Sequence, residues 1–423
     1  VATGAFGTVP GLLLLPYLTD TVGVTALLAG LIVLAPKAWD VVLNPIAGRI
    51  SDRYEDPRGP RRPFLLRAGL LLAALFALLF AAPETGRLAE TLWVLVVFLG
   101  CATAYAFFQV PFVAMPAEMT DDPAERTRIM AWRVALLALA ILLTGASAPA
   151  IRDAVGGREG YRAMGLVVAL VIAAGALLSY RGTRSLPVHR VPADSGSLRE
   201  QLRVVAGARD FRALLVTFVV QALAVGVMLA GVDYVARVVL DRPGAATLLF
   251  VCFVGPALLV TPVWERVGRR LGKRGGYLAS SLAFATGAAA LVGAQVLPIP
   301  VVYAATALVG VGYAGAQVFP LAMLPDAVAE DARRTGVTRA GVFTGVWTAA
   351  ETLGLALGPG VFAVVLALGG YVSSRGDVDL PQPGSAVDAV TLGFSVLPAV
   401  LVLASLVFLR GYRLDERTLR EEP

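Results

Sequence analysis

The chain has 423 residues, 57% of them apolar and only 16% charged, with a mean hydropathy of +0.75, whereas soluble domains run near roughly 45–50% apolar and about 25% charged. This excess excludes a soluble enzyme, a disulfide-bonded secreted scaffold and a nucleic-acid binder, so the net charge of +6 needs an explanation other than a polyanionic partner. Cys101 and Cys252 lie in apolar stretches and His189 is the only histidine, so no disulfide framework or metal site is expected. The sequence opens at Val1-Ala2-Thr3-Gly4 already inside an apolar segment, without a charged n-region or cleavage site. A start part-way into a first helix is expected rather than a signal peptide.

A membrane crossing by a helix takes ~20 mainly apolar residues. With that ruler twelve spans are predicted, at 3–19, 25–49, 64–82, 91–115, 131–150, 163–180, 212–236, 245–265, 277–297, 300–322, 341–367 and 388–409. The polar stretch 181–210 is the one long connection. It divides the chain into an N-terminal six-helix half (1–180), a central loop (181–210), a C-terminal six-helix half (211–410) and a tail (411–423). Lysine and arginine are retained on the cytoplasmic side of short loops. Of the 36 here, seven (Arg87, Arg152, Arg158, Arg162, Arg237, Arg242 and Arg375) follow odd-numbered spans, Lys37 lies within span two, and the remaining 28 fall on the other side. The expected product is an all-α, multi-pass protein of the plasma (inner) membrane with both termini and the central loop cytoplasmic. The basic excess then reflects topology and attraction to the inner leaflet.

The halves repeat one another. Val110-Pro111-Phe112-Val113-Ala114-Met115-Pro116 at the end of span four, followed by Ala124-Glu125-Arg126-Thr127, matches Phe319-Pro320-Leu321-Ala322-Met323-Leu324-Pro325 and Ala332-Arg333-Arg334-Thr335 near the end of span ten. Pro45, Arg49 and Arg53 similarly match Pro262, Arg266 and Arg270. Parallel six-helix repeats joined by a cytoplasmic loop describe the major facilitator architecture.

Ionisable groups within hydrocarbon are costly and mark function by default. Span two carries Lys37 and Asp40 three residues apart and Asn44 one turn further on, so the three project from about one helical face. Asp40 reads either as a cation or proton ligand or as half of a self-neutralising pair with Lys37. Glu351 in span eleven is a candidate protonation site if unpaired, and structural if matched by a basic group. Asp233 lies four residues before Arg237, which suits an interfacial pair. Arg133, just inside span five, either faces a cavity or snorkels to the interface. Tyr105, Gln109, Gln221, Tyr313, Gln317 and Trp347 are uncharged polar or aromatic groups at depth. Gln109 and Gln317 precede the repeated Pro111 and Pro320 and are candidates for hydrogen bonds to a solute, whereas Tyr105 and Tyr313 serve binding or packing.

Between spans two and three, Gly48-Arg49-Ile50-Ser51-Asp52-Arg53 followed by Arg61-Arg62 carries charges able to pair with neighbouring helix ends. Gly48, Asp52, Arg53, Arg61 and Arg62 form a candidate conformational latch. Pro111, Pro116, Pro320 and Pro325, with Gly358-Pro359-Gly360, suit hinges in helices that rock. No P-loop, metal triad or nucleophile-base arrangement occurs, so neither an enzyme nor an ATP-driven pump is expected.

Lys37-Ala38-Trp39-Asp40 with Asn44-Pro45-Ile46-Ala47-Gly48, Asp52-Arg53 and Gly59-Pro60-Arg61-Arg62-Pro63 resembles the span-two signature of the glycoside-pentoside-hexuronide:cation symporters, the melibiose-carrier branch of the major facilitator superfamily. Pro16-Tyr17-Leu18-Thr19-Asp20 and Pro111-Phe112 with Pro116 are similar to the same family. The resemblance implies a coupling-cation site of two acidic residues in span two, here Asp40 and Asn44. It places Gln109 where the family has an acidic residue, matches the family's span-five arginine to Arg133, and puts its span-eleven lysine at or beside Thr352, next to Glu351.

These readings give cation-coupling candidates Asp40, Asn44, Lys37 and Glu351, and substrate-binding candidates Gln109, Arg133, Tyr105, Gln317, Trp347, Thr352 and Tyr313. The expected function is secondary active transport of a small organic solute by alternating access, coupled to H+ rather than Na+. The resemblance implies that the solute is a glycoside or sugar. No cofactor and no nucleic acid are expected, only the solute and the lipid bilayer, and the chain is expected to be a monomer. Two alternatives stand beside this reading. One is an exporter of amphipathic, drug-like or lysolipid molecules, and the other is a sensor or scaffold that does not transport.

Overall fold

The computed structural model describes residues 1–54, 61–119, 123–184, 207–335, 340–376 and 380–414, and among these all regular structure is helical. The helices are α1 (Ala2–Pro16, continued as a π-turn over Tyr17–Val22), α2 (Ala26–Arg53), α3 (Arg62–Leu79), α4 (Arg87–Met119), α5 (Pro123–Val155) and α6 (Gly157–Thr183). They are followed by α7 (Arg209–Tyr234, continued as a π-turn over Val235–Val239), α8 (Ala245–Val254), α9 (Pro256–Leu259), α10 (Thr261–Ala290), α11 (Ile299–Thr335), α12 (Ala340–Leu368), α13 (Gly384–Phe394) and α14 (Val396–Leu409). Among the described residues, ten helical stretches are long and apolar enough to cross a membrane, and two shorter apolar stretches occupy Ala26–Pro36 and Ala245–Leu259.

Proline chemistry sets several boundaries. Pro256 and Pro398 lack the N–H that would bond the carbonyl four residues earlier. The helix accordingly breaks between α8 and α9 at Gly255, and between α13 and α14 at Ser395. Pro320 and Pro325 have the opposite outcome, since α11 runs through both for 37 residues. Predicted span ten ends at 322, whereas the helix continues to Thr335, its polar end carrying ion pairs to α10 and within itself. Asp326 pairs with Lys273 at 2.6 Å, and Arg333 and Arg334 pair back to Glu330 and Asp331. The predicted connection 266–276 is also helical. It belongs to α10, which is kinked at Gly272 (φ 73°, ψ 167°), a backbone conformation that favours glycine.

The chain falls into two compact units, Val1–Asp194 with Tyr371–Gln382, and Ser195–Gly370 with Pro383–Pro423. In the first, α3 packs on α4 and α6, α1 on α5 and α6, and α2 on α4. Phe6, Phe76, Phe80, Tyr17 and Tyr161 join their rings through its centre. The segment after α12 belongs to this unit although α12 and α13 belong to the other. It forms a strap across the end of α1. Tyr371 donates its hydroxyl to Asp20 Oδ1 (2.9 Å), Ser374 Oγ donates to the Asp20 carbonyl (3.1 Å), and Gly376 N–H donates to the Thr21 carbonyl (3.0 Å). Arg375 pairs at 2.7 Å with Glu90, a fully buried carboxylate that also pairs with Arg158.

In the second unit, α10 packs on α11 and α14, and α7 on α12 and α14. Gln221 Nε2 donates to Ser281 Oγ and to Ser405 Oγ, each at 3.0 Å, tying α7, α10 and α14 together. Such polar contacts and small-residue contacts do in lipid what apolar burial does in water. The α7–α12 crossing is tightest at Gly226 and Gly358, where a Cβ on Gly358 would lie 2.1 Å from the Gly226 carbonyl carbon. Backbone cannot yield there, so Gly358→Ala is expected to lower the thermal midpoint and the monodisperse yield in detergent, at a cost of about 1–3 kcal/mol or more. An unchanged midpoint would show that the crossing is looser.

Candidate functional site

The first unit brings together three of the predicted site residues from three helices. Asp40 of α2 and Arg133 of α5 both lie within electrostatic reach of the Tyr105 phenol of α4. All three side chains are partly buried. The Tyr105 ring packs on Phe6 at 4.7 Å between centroids, and the Arg133 guanidinium lies over the Phe112 ring, 5.4 Å from its centroid. That aromatic face holds a cation without neutralising it. The neighbouring contact positions the cluster, because Trp39 Nε1 donates to Thr103 Oγ1 (3.1 Å) and fixes α2 against α4 one residue before Asp40. Leu43, Ala47 and Ala106 close the same interface with small and apolar side chains. Gln109, one turn beyond Tyr105, has a buried Oε1 that accepts no hydrogen bond among the described residues. Asn44 is exposed, and the side chain of Lys37 lies outside the described residues.

The second unit has a smaller group. Tyr313 and Gln317 on α11 hydrogen-bond each other, with Glu351 of α12 within electrostatic reach of the phenol. Tyr313 also packs its ring on Phe253 at 5.5 Å. Trp347 stands apart from this group, in the core. Its ring stacks on Phe218 at 4.4 Å and is fully buried with Phe211 and Phe343. Thr352 is exposed, and its Oγ1 donates to the Thr348 carbonyl at 2.9 Å.

An acid, a guanidinium and a phenol are thus assembled on the first unit's helices. The sequence profile of MFS/sugar transport proteins matches residues 1–416. The chain belongs to that family. It is a transporter family rather than an enzyme family, and it is the glycoside-pentoside-hexuronide:cation symporter branch that the span-two and span-four motifs resemble. Among curated members, the chain is 23% identical over 416 residues to the glucuronide carrier protein homolog of Escherichia coli (strain K12), covering 97% of this chain and 89% of that protein. It is 23% identical over 409 residues to the isoprimeverose transporter of Lactiplantibacillus pentosus, covering 95% and 84%. The crystal structure of a D-xylose-proton symporter superposes with a TM-score of 0.67 at 15% identity, covering 98% of this chain and 97% of that one. That likeness carries the fold alone.

Within this fold, the loop candidates sit as follows. Arg62 is buried and donates from Nη1 to the Arg184 carbonyl at 2.9 Å, capping the C-terminal end of α6, where a cation meets the helix dipole favourably. Arg61 precedes it at the start of α3. Gly48 packs toward Val110 of α4, and Ser51 Oγ donates to the Gly48 carbonyl at 2.9 Å. The side chains of Asp52 and Arg53 lie outside the described residues. Asp233 and Arg237 form the expected i,i+4 pair at 2.6 Å, with Asp233 fully buried and the guanidinium over Tyr234.

No sequence motif joins Glu90, Arg158 and Arg375 to Asp20, which closes the Pro16-Tyr17-Leu18-Thr19-Asp20 segment. Arg158 and Arg375 were legible only as loop charge. Glu90 was the available signal, a carboxylate just before predicted span four, flanked by Leu88-Ala89 and Thr91-Leu92.

Proposed function

We propose that this chain is a proton-coupled symporter of a small sugar-like solute, a twelve-span protein of the inner membrane with cytoplasmic termini that works by alternating access. The observation carrying this reading is the cluster of Asp40, Tyr105 and Arg133 on three helices. A carboxylate that exchanges a proton, beside a guanidinium and phenol able to donate to hydroxyl or carboxylate oxygens, joins solute and proton at one place. Gln109 adds a buried acceptor for a solute hydroxyl. Glu351 with Tyr313 and Gln317 is read as the second protonatable group. The names of the glucuronide carrier homolog and the isoprimeverose transporter favour an acidic sugar or a glycoside.

Two further features support it. The apolar stretches Ala26–Pro36 and Ala245–Leu259 fall at corresponding places of the two predicted halves, as parallel six-helix repeats require. Asn44 stands where a second span-two carboxylate would complete a sodium site, which favours the proton.

The test is uptake of labelled glucuronides and methyl glycosides into proteoliposomes under an imposed pH gradient or an imposed sodium gradient. Concentrative uptake driven by the pH gradient alone is expected. A requirement for sodium would overturn the proton assignment, and absence of uptake of any sugar would overturn the solute class. Asn44→Asp, which restores two carboxylates one turn apart, is expected to bring sodium stimulation that the parent lacks, read in the same assay. Reporter fusions at both termini test the orientation.

A further inference from the structure

We propose that the cleft formed in the second unit by α10 around its Gly272 kink and by α14 with the residues after it binds an anionic phospholipid. The cleft encloses ≈ 730 Å³, and its charged lining is Lys273, Arg274, Arg410 and Arg413 against a single carboxylate, Asp326. That carboxylate is already engaged by Lys273 at 2.6 Å. Asp210 faces the same region but accepts from the Arg413 backbone N–H at 2.7 Å, so it is bound to main chain. Among the described residues, the guanidinium groups of Arg274, Arg410 and Arg413 have no ion pair. Among the described residues, the four basic side chains against Asp326 and Asp210 leave the cleft net positive.

Its remaining walls are apolar and open. Leu271, Leu278, Leu403 and Val407 line it and are exposed, at 60%, 44%, 44% and 61%. Gly272 leaves the floor clear, because a Cβ there would meet nothing within 4 Å. A sugar or a free anion has no use for four exposed aliphatic side chains. A molecule with a phosphate at one end and acyl chains at the other satisfies both halves, the phosphate among the arginines and the chains along the leucines. Basic pockets between transmembrane helices are sites of this chemistry. Under the orientation proposed above, the cleft opens to the cytoplasmic leaflet, where anionic lipids concentrate. Burial and the carboxylates of Asp326 and Asp210 push the Tyr412 phenol above its ordinary value, so this neighbour stays neutral and does not repel a phosphate.

The test uses the full chain purified in a neutral detergent and exposed to phosphatidylglycerol, phosphatidylcholine or inorganic phosphate, with retained lipid read by native mass spectrometry and the thermal midpoint followed in parallel. Retention of phosphatidylglycerol at least ~10-fold above phosphatidylcholine is expected, with that preference lost in R274Q/R410Q/R413Q and kept in the corresponding triple lysine variant. Equal retention of the two lipids, a preference that survives the triple glutamine variant, or the same stabilisation by inorganic phosphate would each overturn the proposal. Should the glutamine variant fail to fold, a phosphatidylglycerol carrying a photoreactive acyl chain decides the matter on the parent protein. Labelling is expected on 271–278 and 403–414, and labelling elsewhere overturns the site. None of these readouts depends on sugar uptake or on the coupling ion, so their failure and the failure of the transport reading are distinguishable.

Discussion

Asp40→Asn is expected to abolish concentrative, pH-driven uptake while leaving a folded, monodisperse protein. Asparagine keeps the shape of the side chain and its carbonyl acceptor but can neither bind nor release the coupling proton. Two positions isolate that loss from simple misfolding. Trp39, the adjacent residue, holds α2 to α4 through Thr103, and this contact does not involve the carboxylate. Arg133 is supported by the Phe112 ring, so its position does not depend on the carboxylate alone. Downhill exchange of solute between two pools at equal pH is therefore expected to survive in Asp40→Asn, because exchange needs the solute site but no net proton movement. Arg133→Gln should give the complementary pattern. Hydrogen bonds to a charged group contribute about 1.5–3 kcal/mol, so solute affinity should fall by roughly 10–100-fold in exchange as well as in driven uptake. Arg133→Lys should recover only part of it, since an ammonium reproduces neither the forked donor geometry nor the stacking on Phe112. Driven uptake by Asp40→Asn at the parental rate would remove Asp40 from the coupling step.

The spans were legible because hydrocarbon imposes one rule on every crossing, and that rule acts through composition and length alone. What escaped the hydropathy pattern lay where local backbone chemistry or distant partners decided the outcome. Pro398 divided the last span at Ser395 while Pro320 and Pro325 left α11 intact, a difference that the residue type alone does not announce. The polar region 266–276 formed helix on either side of Gly272, with Lys273 paired to Asp326 on α11, 53 residues away. At the candidate site, Asp40, Arg133 and Tyr105 stood out as polar groups in apolar surroundings, and that scarcity is what made them candidates. Trp347 shared the same signature yet lies stacked on Phe218 in the core, because an aromatic at helical spacing serves packing as readily as binding. Charge counting was also too coarse. Of the seven arginines after odd-numbered spans, Arg152, Arg158, Arg162, Arg237 and Arg375 each pair with a carboxylate. On the other side Arg269, Lys273, Arg333 and Arg334 pair with carboxylates as well.

Glu90→Gln is expected to cause the largest loss of stability of any single change in the first unit and to loosen the strap. The carboxylate is fully buried and serves two guanidinium groups from distant parts of the chain, Arg158 at the start of α6 and Arg375 in the strap. Removing one partner of a buried pair leaves the other charge uncompensated, at about 3–5 kcal/mol. Most of that falls on Arg158, whose side chain is only 13% exposed, whereas Arg375 is half exposed and its pairing contributes roughly 0–1 kcal/mol. Arg158 also donates to the Thr21 carbonyl at 3.2 Å, so its displacement disturbs the same end of α1 that Ser374 and Gly376 hold. The strap then keeps its Asp20 contacts through Tyr371 and Ser374, and Tyr371→Phe, which removes one hydrogen bond, should cost only about 1 kcal/mol. A cysteine placed at Ser374 is expected to react faster with a membrane-impermeant maleimide in the Glu90→Gln background. Replacing a whole buried ion pair by apolar groups of similar size is often neutral or stabilising, so Glu90→Leu combined with Arg158→Leu should recover much of the thermal midpoint that Glu90→Gln loses. A double variant no more stable than the single one would show that the Glu90 region is held by shape rather than by charge.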